Sequence, residues 1–484
     1  MWSAIQSVLK QIDDFVWGVP LMVLILSGGL LLTVRLGLLQ VRKLGLALKW
    51  MVQNEEEGEG EISSFAALCT ALSATIGTGN IVGVATAVCA GGPGALFWMI
   101  VAAFLGMATK YAEGLLAVKY RVVDESGHSL GGPFYYIEKG MGKNWKWLAK
   151  VFAFFGACVG LFGIGTFSQV NGISSAVVGF FDPDKSLAVT IPGLGTYSWV
   201  VVIASLVLTF CVAAVIIGGV KRIASVSQVV VPFMAIIYFI FALALVLFNI
   251  KEVPQAIVTI VQAAFNPKAV TGGVVGSMLV AMQNGVARGI FSNEAGAPIA
   301  AAAAQTKEPV RQGLVSMTGT FIDTIVICTL TGLSVVITGA WQVEGLEGVQ
   351  VTTYAFQHGL PFSNTFCAAV LMICLVFFAF TTILGWDYYG ERCLEYLTGK
   401  DQKKIKIYRW LYILAVFIGP YMTVAAVWTI ADIFNGLMAL PNMIALFALS
   451  GVVVKETKRF FDVYADQKMA KKKSSASIKD AAEN

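Results

Sequence analysis

The residues most able to bind a small ligand in this sequence lie in ATIGTGNIVG, residues 74–83. Gly77 and Gly79 each weaken the interior of a helix by about 1 kcal/mol relative to alanine, and Thr78 and Asn80 lie beside them. The end of an interrupted helix presents N–H groups and a positive dipole that suit a carboxylate. Its freed carbonyl groups suit Na⁺ or an ammonium group. We therefore predict that the amides of Thr78, Gly79 and Asn80 bind the carboxylate of a substrate.

This stretch belongs to a chain with the composition of a helical membrane protein. Of its 484 residues, 57% are hydrophobic and 13% are charged, and the mean hydropathy is +0.76, outside the range of ordinary soluble domains. Apolar runs of about 20 residues, long enough to cross a bilayer, recur along the chain. We predict an all-α polytopic membrane protein with eleven transmembrane helices, over residues 15–39, 63–90, 94–119, 148–181, 197–217, 223–249, 272–304, 312–340, 362–391, 407–428 and 430–454.

Lysines and arginines are concentrated on alternate connections between these spans. One set of connections carries most of them, for example Arg392 through Arg409 after the ninth span. By the positive-inside rule these connections are cytoplasmic. We therefore expect a multi-pass protein of the plasma membrane with its N-terminus outside and its C-terminus in the cytoplasm. Residues 1–14 are expected outside or at the interface, and 455–484 as a cytoplasmic basic tail. Its final segment, 468–484, is expected to be solvated, with a weak role at the lipid surface as the alternative.

The side chains that build most enzyme and metal sites are scarce. Eight cysteines form no CxxC pair, and His128 and His358 are the two histidines. Neither a disulfide framework nor a histidine metal centre is therefore expected. The sequence also contains no HExxH or GxSxG motif. We predict that the protein is not an enzyme.

The spans divide into one additional helix, 15–39, and two halves of five helices each. The halves are residues 63–249 and 272–454, and because five is an odd number the second half runs with the opposite orientation. The first helix of each half carries clustered glycines and polar residues, in the second half around Met282 to Phe291. Interrupted helices at matching places of an inverted repeat are typical of transport sites. The alternative is that the small residues only permit close helix packing.

Several longer motifs resemble those of a known family. They are GTGNIVGVATA (77–87), GGPGALFWM (91–99), GMATKYAEG (106–114), GGPFYYIEKGMG (131–142) and RGIFSNEAG (288–296). All of them are similar to motifs of the alanine/glycine:cation symporters, also called sodium:alanine symporters. Because the motifs occur in both halves, the resemblance covers the region from about residue 60 to about residue 454.

The resemblance implies secondary transport of a small neutral amino acid, alanine or glycine, by alternating access and driven by Na⁺ as the coupling ion. It also implies the leucine-transporter architecture of two inverted five-helix repeats, here behind one added helix. The expected partners are the amino acid, Na⁺ and the lipid bilayer, with no nucleic acid and with function as a monomer. Alanine and glycine should be preferred over leucine, because one further methylene in a filled apolar pocket is worth about 1–3 kcal/mol.

In that architecture the third helix of the first half packs against the first break. Phe167, Gln169 and Asn171 on this helix are therefore candidate substrate contacts, although their spread over two helical faces leaves at least one as an interhelical bond only. Trp386 is a candidate pocket wall, with a place in the interfacial aromatic belt as the alternative. The second break is expected to close the side-chain end of the pocket with Met282, Gly285, Gly289, Ile290 and Phe291.

The Na⁺ site is predicted on the third helix of the second half. The hydroxyls of Thr381 and Thr382 and the carbonyl of Phe378 make three oxygens on a small patch, and the carbonyls freed near Ser73 and Ile76 would add two more. A shell of neutral oxygens suits a monovalent cation that must leave in each cycle, whereas carboxylates would favour divalent ions. The alternative is that the two hydroxyls only bond to carbonyls of their own helix.

Charged residues inside spans are functional candidates by default. Arg288 and Glu294 bracket the second break and Asp323 lies in the next span. We expect a structural ion pair of Arg288 with Glu294 or Asp323 rather than a proton relay, because arginine does not titrate. Gate or packing ion pairs are expected for Lys110, Glu113, Asp387 and Glu391.

Two other transport functions remain open. A proton-coupled carrier of the same fold would need a titratable carboxylate beside the first break, and residues 69–86 contain none. A channel would be expected to form an oligomer with a repeated filter, whereas this chain has two unlike breaks.

Overall fold

The structure is a computed structural model that describes residues 2–53, 60–125, 128–184, 186–191, 195–265, 278–293, 298–422 and 424–483. Helices make up nearly all of it. Two short antiparallel hairpins lie between helices, formed by Val122–Val123 with Ser129–Leu130 and by Ala188–Ile191 with Gly195–Ser198.

Eight helices among the described residues are long and apolar enough to cross a bilayer, and a bent pair, Ser64–Thr75 with Gly79–Gly91, makes a ninth candidate. The prediction of an all-α polytopic membrane protein is confirmed, but the number of eleven spans is not. Two predicted spans are not among these candidates. Of the span 272–304 the structure describes Met278–Asn293 and Pro298–Ala302. The span 407–428 corresponds to Gln402–Ile418, whose 17 residues reach about 25 Å at the rise of a helix, less than the roughly 30 Å of a bilayer core.

Four helices precede the two halves. They are α1 (Trp2–Val16), α2 (Val19–Arg35), α3 (Leu39–Arg42) and α4 (Leu44–Val52). The predicted span 15–39 therefore starts inside α1 and includes all of α2. The two are separate helices, since Pro20 in the first turn of α2 marks a helix start.

The first half contains eight helices and a single turn of π-helix. The helices are α5 (Ser64–Thr75), α6 (Val84–Gly91), α7 (Gly94–Lys119), α8 (Pro133–Gly140), α9 (Lys146–Phe162), α10 (Phe167–Phe181), α11 (Trp199–Ile216) and α12 (Gly219–Phe248). The π-turn Gly79–Gly83 joins α5 to α6, and the 3₁₀ turn Lys143–Trp145 precedes α9. Helix α13 (Val253–Phe265) follows α12.

The second half has a similar order of elements. Its helices are α14 (Met278–Asn293), α15 (Pro298–Ala302), α16 (Pro309–Thr320), α17 (Thr329–Ile337), α18 (Val349–Gly359), α19 (Asn364–Thr398), α20 (Gln402–Ile418) and α21 (Val424–Glu483). A π-helical stretch, Phe321–Cys328, joins α16 to α17, and 3₁₀ turns occupy Ala340–Gln342 and Gly419–Tyr421. In each half a short helix, α8 or α18, separates the second span from the third, as expected for a repeat.

Helix α21 continues through residue 455, where the expected cytoplasmic tail begins. Just beyond it, Phe460 and Tyr464 pack edge-on against Trp50, with ring centroids 5.9 and 5.7 Å from it. The first part of the expected tail is therefore a continuation of α21 that contacts α4.

Close packing of three helices brings the candidate site together. Helix α19 packs against both α5 and α10. At Gly385 a Cβ would lie 2.7 Å from the Cβ of Ala74, so the contact between α19 and α5 requires glycine there. Small residues at such a contact let two helix backbones approach closely, which places the predicted cation ligands of α19 beside the end of α5.

The segment before α5 is joined to the segment after α15. Glu61 donates its N–H to the carbonyl of Ala303 at 2.9 Å, and Gln305 donates to the carbonyl of Ile62 at 2.8 Å. These bonds form a short parallel bridge between the first helices of the two halves. The bridge lies on the face of the protein that carries most lysines and arginines, which we call the basic face.

Candidate functional site

The first break lies where the sequence predicts it. Helix α5 ends at Thr75, Ile76 is extended with φ −78° and ψ 93°, and the helix resumes after a bend of 50°. Ile76, Thr78 and Asn80 are all 0% exposed. Non-helical backbone at membrane depth is tolerated where it is buried in protein or lines a cavity, and here it is buried.

Side chains accept from two of the freed amides of the break, while the Asn80 N–H donates to the backbone carbonyl of Gly77 at 3.2 Å. Gly77 donates its N–H to Asn80 Oδ1 at 2.9 Å, and Thr78 donates its N–H to Gln169 Oε1 at 3.0 Å. Gln169 is itself held because its Nε2 donates to the carbonyl of Ile164 at 2.9 Å. These three bonds hold the break in the described conformation.

Gly77 is the residue of the break that lies against both α10 and α19. A Cβ at this position would lie 2.5 Å from Thr382 Oγ1 and 2.9 Å from Gln169 Oε1. Thr78 meets α10 in the same way, because a Cβ on Gly172 would collide with its methyl group. Both contacts require glycine.

The three candidates on α10 do not point to one place. Gln169 reaches the break, whereas Phe167 packs in a small cluster with Ala415 and Val427. Asn171 donates its Nδ2 to the carbonyl of Met422 at 3.2 Å. The expected division is therefore observed, with Gln169 as the member of the three that bonds to the break.

Four of the five predicted Na⁺ ligands lie together. The hydroxyl of Thr382 is 3.2 Å from the carbonyl oxygen of Ile76 and 3.0 Å from that of Phe378, to both of which it can donate. Thr381 Oγ1 is 3.0 Å from the same Phe378 oxygen. All four oxygens are neutral and belong to buried residues, and that donor set fits a monovalent cation.

Ser73 contributes to this region through its backbone. Its hydroxyl donates to the carbonyl of Thr70 at 2.8 Å, within its own helix. In a continued helix, Gly77 N–H would bond to the carbonyl of Ser73, but it donates to Asn80 instead. The break therefore removes the regular helical partner of the Ser73 carbonyl, as predicted.

Trp386 lies one turn beyond Thr382 and is 1% exposed. Its ring is 5.4 Å from that of Tyr389 in an edge-on arrangement, and Gly165 approaches it so closely that a Cβ there would be 2.6 Å from the Trp386 Cβ. Burial excludes a place in the lipid-facing aromatic belt. Trp386 forms part of the packing between α19 and the turn that joins α9 to α10.

The second break does not lie where we predicted it. Helix α14 runs without interruption from Met278 to Asn293, so the placement at Met282 to Phe291 is wrong. The next described helix begins at Pro298. Glu294 and the side chain of Phe291 lie outside the described residues.

The glycines of α14 serve helix packing instead. A Cβ on Gly285 would collide with the Ala95 carbonyl, and one on Gly289 would lie 3.4 Å from Met99 Cγ. Both contacts are with α7. On another face of α14, Met282 and Ile290 pack in a cluster with Met22, Ala102 and Val286. The contacts described for these four candidates are therefore packing contacts with α7 and with the cluster around Met22.

Arg288 has a partner that the sequence did not suggest. It donates Nη1 and Nη2 to the two carboxylate oxygens of Asp432 at 2.9 and 2.6 Å, and its guanidinium lies 4.8 Å from the ring of Trp428. The bidentate pair joins α14 to α21. Of the four residues expected in gate or packing ion pairs, Lys110 pairs with Glu113 at 3.4 Å, and Glu391 pairs with Arg409 at 2.6 Å. Asp387 is 1% exposed, and its Oδ1 lacks a hydrogen-bond partner within the described residues.

The sequence identified Asp323 as a charged residue inside a span, but not that its carboxylate lies beside the first break. Asn80 donates its Nδ2 to Asp323 Oδ1 at 2.7 Å, and Thr324 donates its hydroxyl to Asp323 Oδ2 at 2.7 Å. Asn80 and Asp323 are 243 positions apart, so only the tertiary fold shows the contact. A charged residue inside a span was the available signal.

Two cavities open towards opposite faces. The outer cavity, about 600 Å³, is lined by Val82, Asn171, Gly172, Leu346, Tyr354 and Trp428 among others. The basic-face cavity, about 660 Å³, is lined by Glu61, His128, Glu391, Arg392, Glu395 and Arg409 among others. The outer cavity therefore reaches residues next to the break, whereas charged side chains line the basic-face cavity.

His128 lies at the centre of the charged group on the basic face. Its Nδ1 is 2.7 Å from Glu61 Oε1 and its Nε2 is 3.7 Å from Glu395 Oε1, while Arg392 contacts its ring. Hydrogen bonding to Glu395 and Glu61 raises the pKa of His128 to about 9. Burial alone would raise the pKa of Glu61, but the bonds from His128 and from the Ser129 N–H lower it. These bonds join the segment before α5 to α19.

Comparisons with known proteins give a consistent result. A model of the sodium:alanine symporter family matches residues 2–477. An uncharacterized transporter of Haemophilus influenzae is 55% identical over 94% of this chain and 96% of its own length, and the sodium/alanine symporter AgcS of Methanococcus maripaludis is 47% identical over 94% and 97%. Among solved structures, that of MhsT in complex with L-phenylalanine has a TM-score of 0.54 at 12% identity and covers 82% of this chain and 89% of that one, which shows a shared fold.

Proposed function

We propose that this chain, which belongs to the sodium:alanine symporter family, couples the entry of Na⁺ to the uptake of alanine or glycine. Members of the family are transporters, and the multi-pass helical fold described above is that of a membrane transporter. The finer assignments of ion, substrate and orientation are the proposal. The observation that carries them is the buried break at Ile76 to Asn80, where α5, α10 and α19 meet.

The substrate carboxylate is assigned to the amides of the break. Gln169 Oε1 accepts from the Thr78 N–H, so an acceptor oxygen fits on this face of the segment. A carboxylate binds the Thr78, Gly79 and Asn80 region by taking up such N–H donors at the positive end of the π-turn. Gln169 is then the side chain that shares the segment with the substrate. Asn171 lines the outer cavity and lies on the path from that side.

Na⁺ is assigned to the oxygens of Thr382, Thr381, Ile76 and Phe378, with the carbonyl of Ser73 close by. These groups carry no net charge, which allows a monovalent ion to bind and leave within each cycle. Because the Ile76 carbonyl belongs to the same unwound segment as the Thr78 amide, the ion and the substrate stabilise one conformation of that segment. The effect of each on the affinity of the other must be reciprocal.

The two cavities are assigned as the access pathways that open in turn during alternating access. The outer cavity reaches Val82 and Gly172 beside the break, while on the basic face the bridge between residues 60–62 and 303–305 and the His128 bonds close the path. With the basic face in the cytoplasm, as the positive-inside rule indicates, the described state is closed towards the cytoplasm. The N-terminus is then outside, and each chain carries a complete site.

Uptake into proteoliposomes tests the proposal. The purified protein should accumulate labelled alanine when Na⁺ is high outside and low inside, and should not do so with an equal K⁺ gradient. Thr382→Val should reduce this uptake at low Na⁺. Equal accumulation with Na⁺ and K⁺ gradients would show that Na⁺ is not the coupling ion.

A further inference from the structure

We infer that Asp323 is a proton-binding site whose titration is linked to the conformation of the first break. The inference deepens the proposed function, since it adds a proton to the Na⁺ and amino acid assigned to the same segment. Its evidence is the position of a buried carboxylate, the hydrogen bonds that it accepts, and a small cavity beside it that is large enough to hold water.

The carboxylate lies next to the break, although it belongs to the other half of the chain. Asp323 is 0% exposed and sits in the π-helical stretch Phe321–Cys328. Asn80 Nδ2 donates to its Oδ1 at 2.7 Å, and Asn80 Oδ1 accepts from the Gly77 N–H at 2.9 Å. One amide side chain therefore connects the carboxylate to the amide that begins the break.

The hydrogen bonds of Asp323 fit its ionised form. Its Oδ1 accepts from Asn80 and its Oδ2 accepts from the Thr324 hydroxyl at 2.7 Å. An ionised carboxylate is an acceptor only, whereas a protonated one carries an O–H on one oxygen. Protonation would remove at least one of these two acceptors or force its donor to turn. Asn80 Nδ2 also donates to the backbone carbonyl of Asp323 at 3.3 Å, so the effect on the break comes from a proton on Oδ1. Such a proton would weaken the bond that holds Asn80 against Gly77, and the ionised form favours the described conformation.

The carboxylate lines a small cavity that is large enough to hold water and that also borders Thr75 at the end of α5. Asp323 lines a cavity of about 20 Å³ together with Thr75, Lys110, Ser316 and Thr320, and about 10–15 Å³ is enough for one water molecule. The hydroxyl of Thr320 in this cavity is buried, and within the described residues it has no hydrogen-bond partner. A water molecule there would have polar partners and could deliver or accept the proton.

The charged and titratable groups around Asp323 come from several elements. Lys110 of α7 lines the same cavity and pairs with Glu113 at 3.4 Å. Arg288 of α14 is engaged with Asp432. Cys328 of the same stretch accepts from Asn80 at 3.3 Å, and Tyr238 of α12 bonds to Thr331. Lys110 and Arg288 are each paired with another carboxylate, whereas the bonds from Asn80 and Thr324 fit the ionised form of Asp323.

The sign of the linkage follows from these contacts. If alanine binds the conformation that the ionised carboxylate supports, its affinity is full at high pH and falls as pH is lowered through the pKa of Asp323. For one linked proton the limiting slope is about tenfold in the dissociation constant per pH unit. Binding at a pH below that range should release a proton.

The test is the dissociation constant of alanine at saturating Na⁺ between about pH 5 and about pH 9. It should rise towards low pH in the unaltered protein and stay flat in Asp323→Asn, whose amide oxygen can still accept from Asn80 while its amide nitrogen no longer titrates. Glu113→Gln removes another buried carboxylate that has Lys110 and Asn442 as partners, and it should keep the original slope. An unaltered slope in Asp323→Asn would overturn the inference.

Two further measurements cover a variant that fails to bind. Calorimetry of the unaltered protein in two buffers of different protonation enthalpy should detect proton release on alanine binding, and zero release at every pH would overturn the inference. If the unaltered protein binds no alanine with Na⁺, the proposed function fails instead. Infrared difference spectra between the protein and Asp323→Asn then decide the proton site, since a carboxylic acid band should appear at low pH, and its absence at every pH excludes the site.

Discussion

At the scale of single residues, Gly77 is the position where the addition of one methyl group should lower alanine affinity most. Gly77→Ala places a Cβ 2.5 Å from Thr382 Oγ1 and 2.9 Å from Gln169 Oε1. Overpacking of this kind costs about 1–3 kcal/mol, so we expect alanine affinity to fall roughly 10- to 100-fold. Isothermal titration calorimetry of the purified variant with alanine at saturating Na⁺ measures this affinity. Gly451→Ala is the matched control, because a Cβ there meets no atom within 4 Å, and equal affinities for the two variants would contradict the assignment.

Thr382 should determine the response to Na⁺. Thr382→Val keeps the shape of the side chain but removes the hydroxyl that lies between the carbonyls of Ile76 and Phe378. We expect the Na⁺ concentration for half-maximal alanine uptake to rise by roughly tenfold or more, equivalent to about 1.4 kcal/mol, while binding at saturating Na⁺ changes less. Thr209→Val is the control, since the Thr209 hydroxyl donates to the Ser205 carbonyl in its own helix. A wild-type activation curve for Thr382→Val would place the ion elsewhere.

Residue types and local spacing were enough to predict part of the site. The glycines and polar residues of GTGN predict the break, and the adjacent threonines of α19 predict hydroxyls beside it, because both features are local in sequence. Gly285 and Gly289 have the same local signature but pack against α7. A glycine permits either an interruption or a close contact, and only the fold shows which one it makes.

At the scale of elements, the charged group around His128 holds the segment before α5 against α19. The pKa of His128, about 9, lies above the ordinary histidine value near 6.5. The protonated form therefore stabilises this contact fully below about pH 6.5 and the stabilisation is lost as pH rises through about 9. We expect a cysteine at Gln305, which lines the basic-face cavity, to become more accessible to a thiol reagent over that range.

The His128→Gln variant of the same cysteine protein controls for ionisation of the thiol. The ratio of the two labelling rates should change with pH if His128 holds the contact. A ratio that stays constant from about pH 6 to about pH 10 would show that His128 does not control this contact.

The ion pair between α14 and α21 should matter more for stability than for the site. Asp432→Asn leaves the Arg288 guanidinium with a neutral partner at a position where the two side chains are 14% and 9% exposed. Breaking a buried pair costs about 3–5 kcal/mol, so thermal unfolding should occur at a clearly lower temperature. Asp124→Asn, which breaks the more exposed pair with Lys400, should cost at most about 1 kcal/mol. Equal shifts in the two variants would argue against a structural role for Arg288.

Element types and order could be predicted, but their lengths and partners could not. Hydropathy identifies apolar helices, and a chain with 57% hydrophobic residues consists mostly of such helices. It does not show that α20 has only 17 residues, nor that α21 continues past residue 455 to pack Phe460 and Tyr464 on Trp50. Those features depend on contacts with helices distant in sequence.

At the scale of the whole molecule, the two halves supply different parts of one site. The break and Gln169 come from the first half, whereas Thr382 and Asp323 come from the second. Because Thr382 of the second half bonds to the Ile76 carbonyl of the first, movement of α19 against α5 would change the proposed ion ligands and the proposed substrate ligands together. This arrangement gives a physical basis for coupling, since the Ile76 carbonyl and the Thr78 amide belong to one unwound segment.

The most direct test of this coupling is the dissociation constant of alanine as a function of Na⁺ concentration, measured with the dissociation constant of Na⁺ as a function of alanine. If both ligands share the break, each should strengthen the other by the same factor, because coupling free energies are reciprocal. We predict equal factors of about 5- to 150-fold, equivalent to about 1–3 kcal/mol. An alanine affinity that is the same with and without Na⁺ would contradict the shared site.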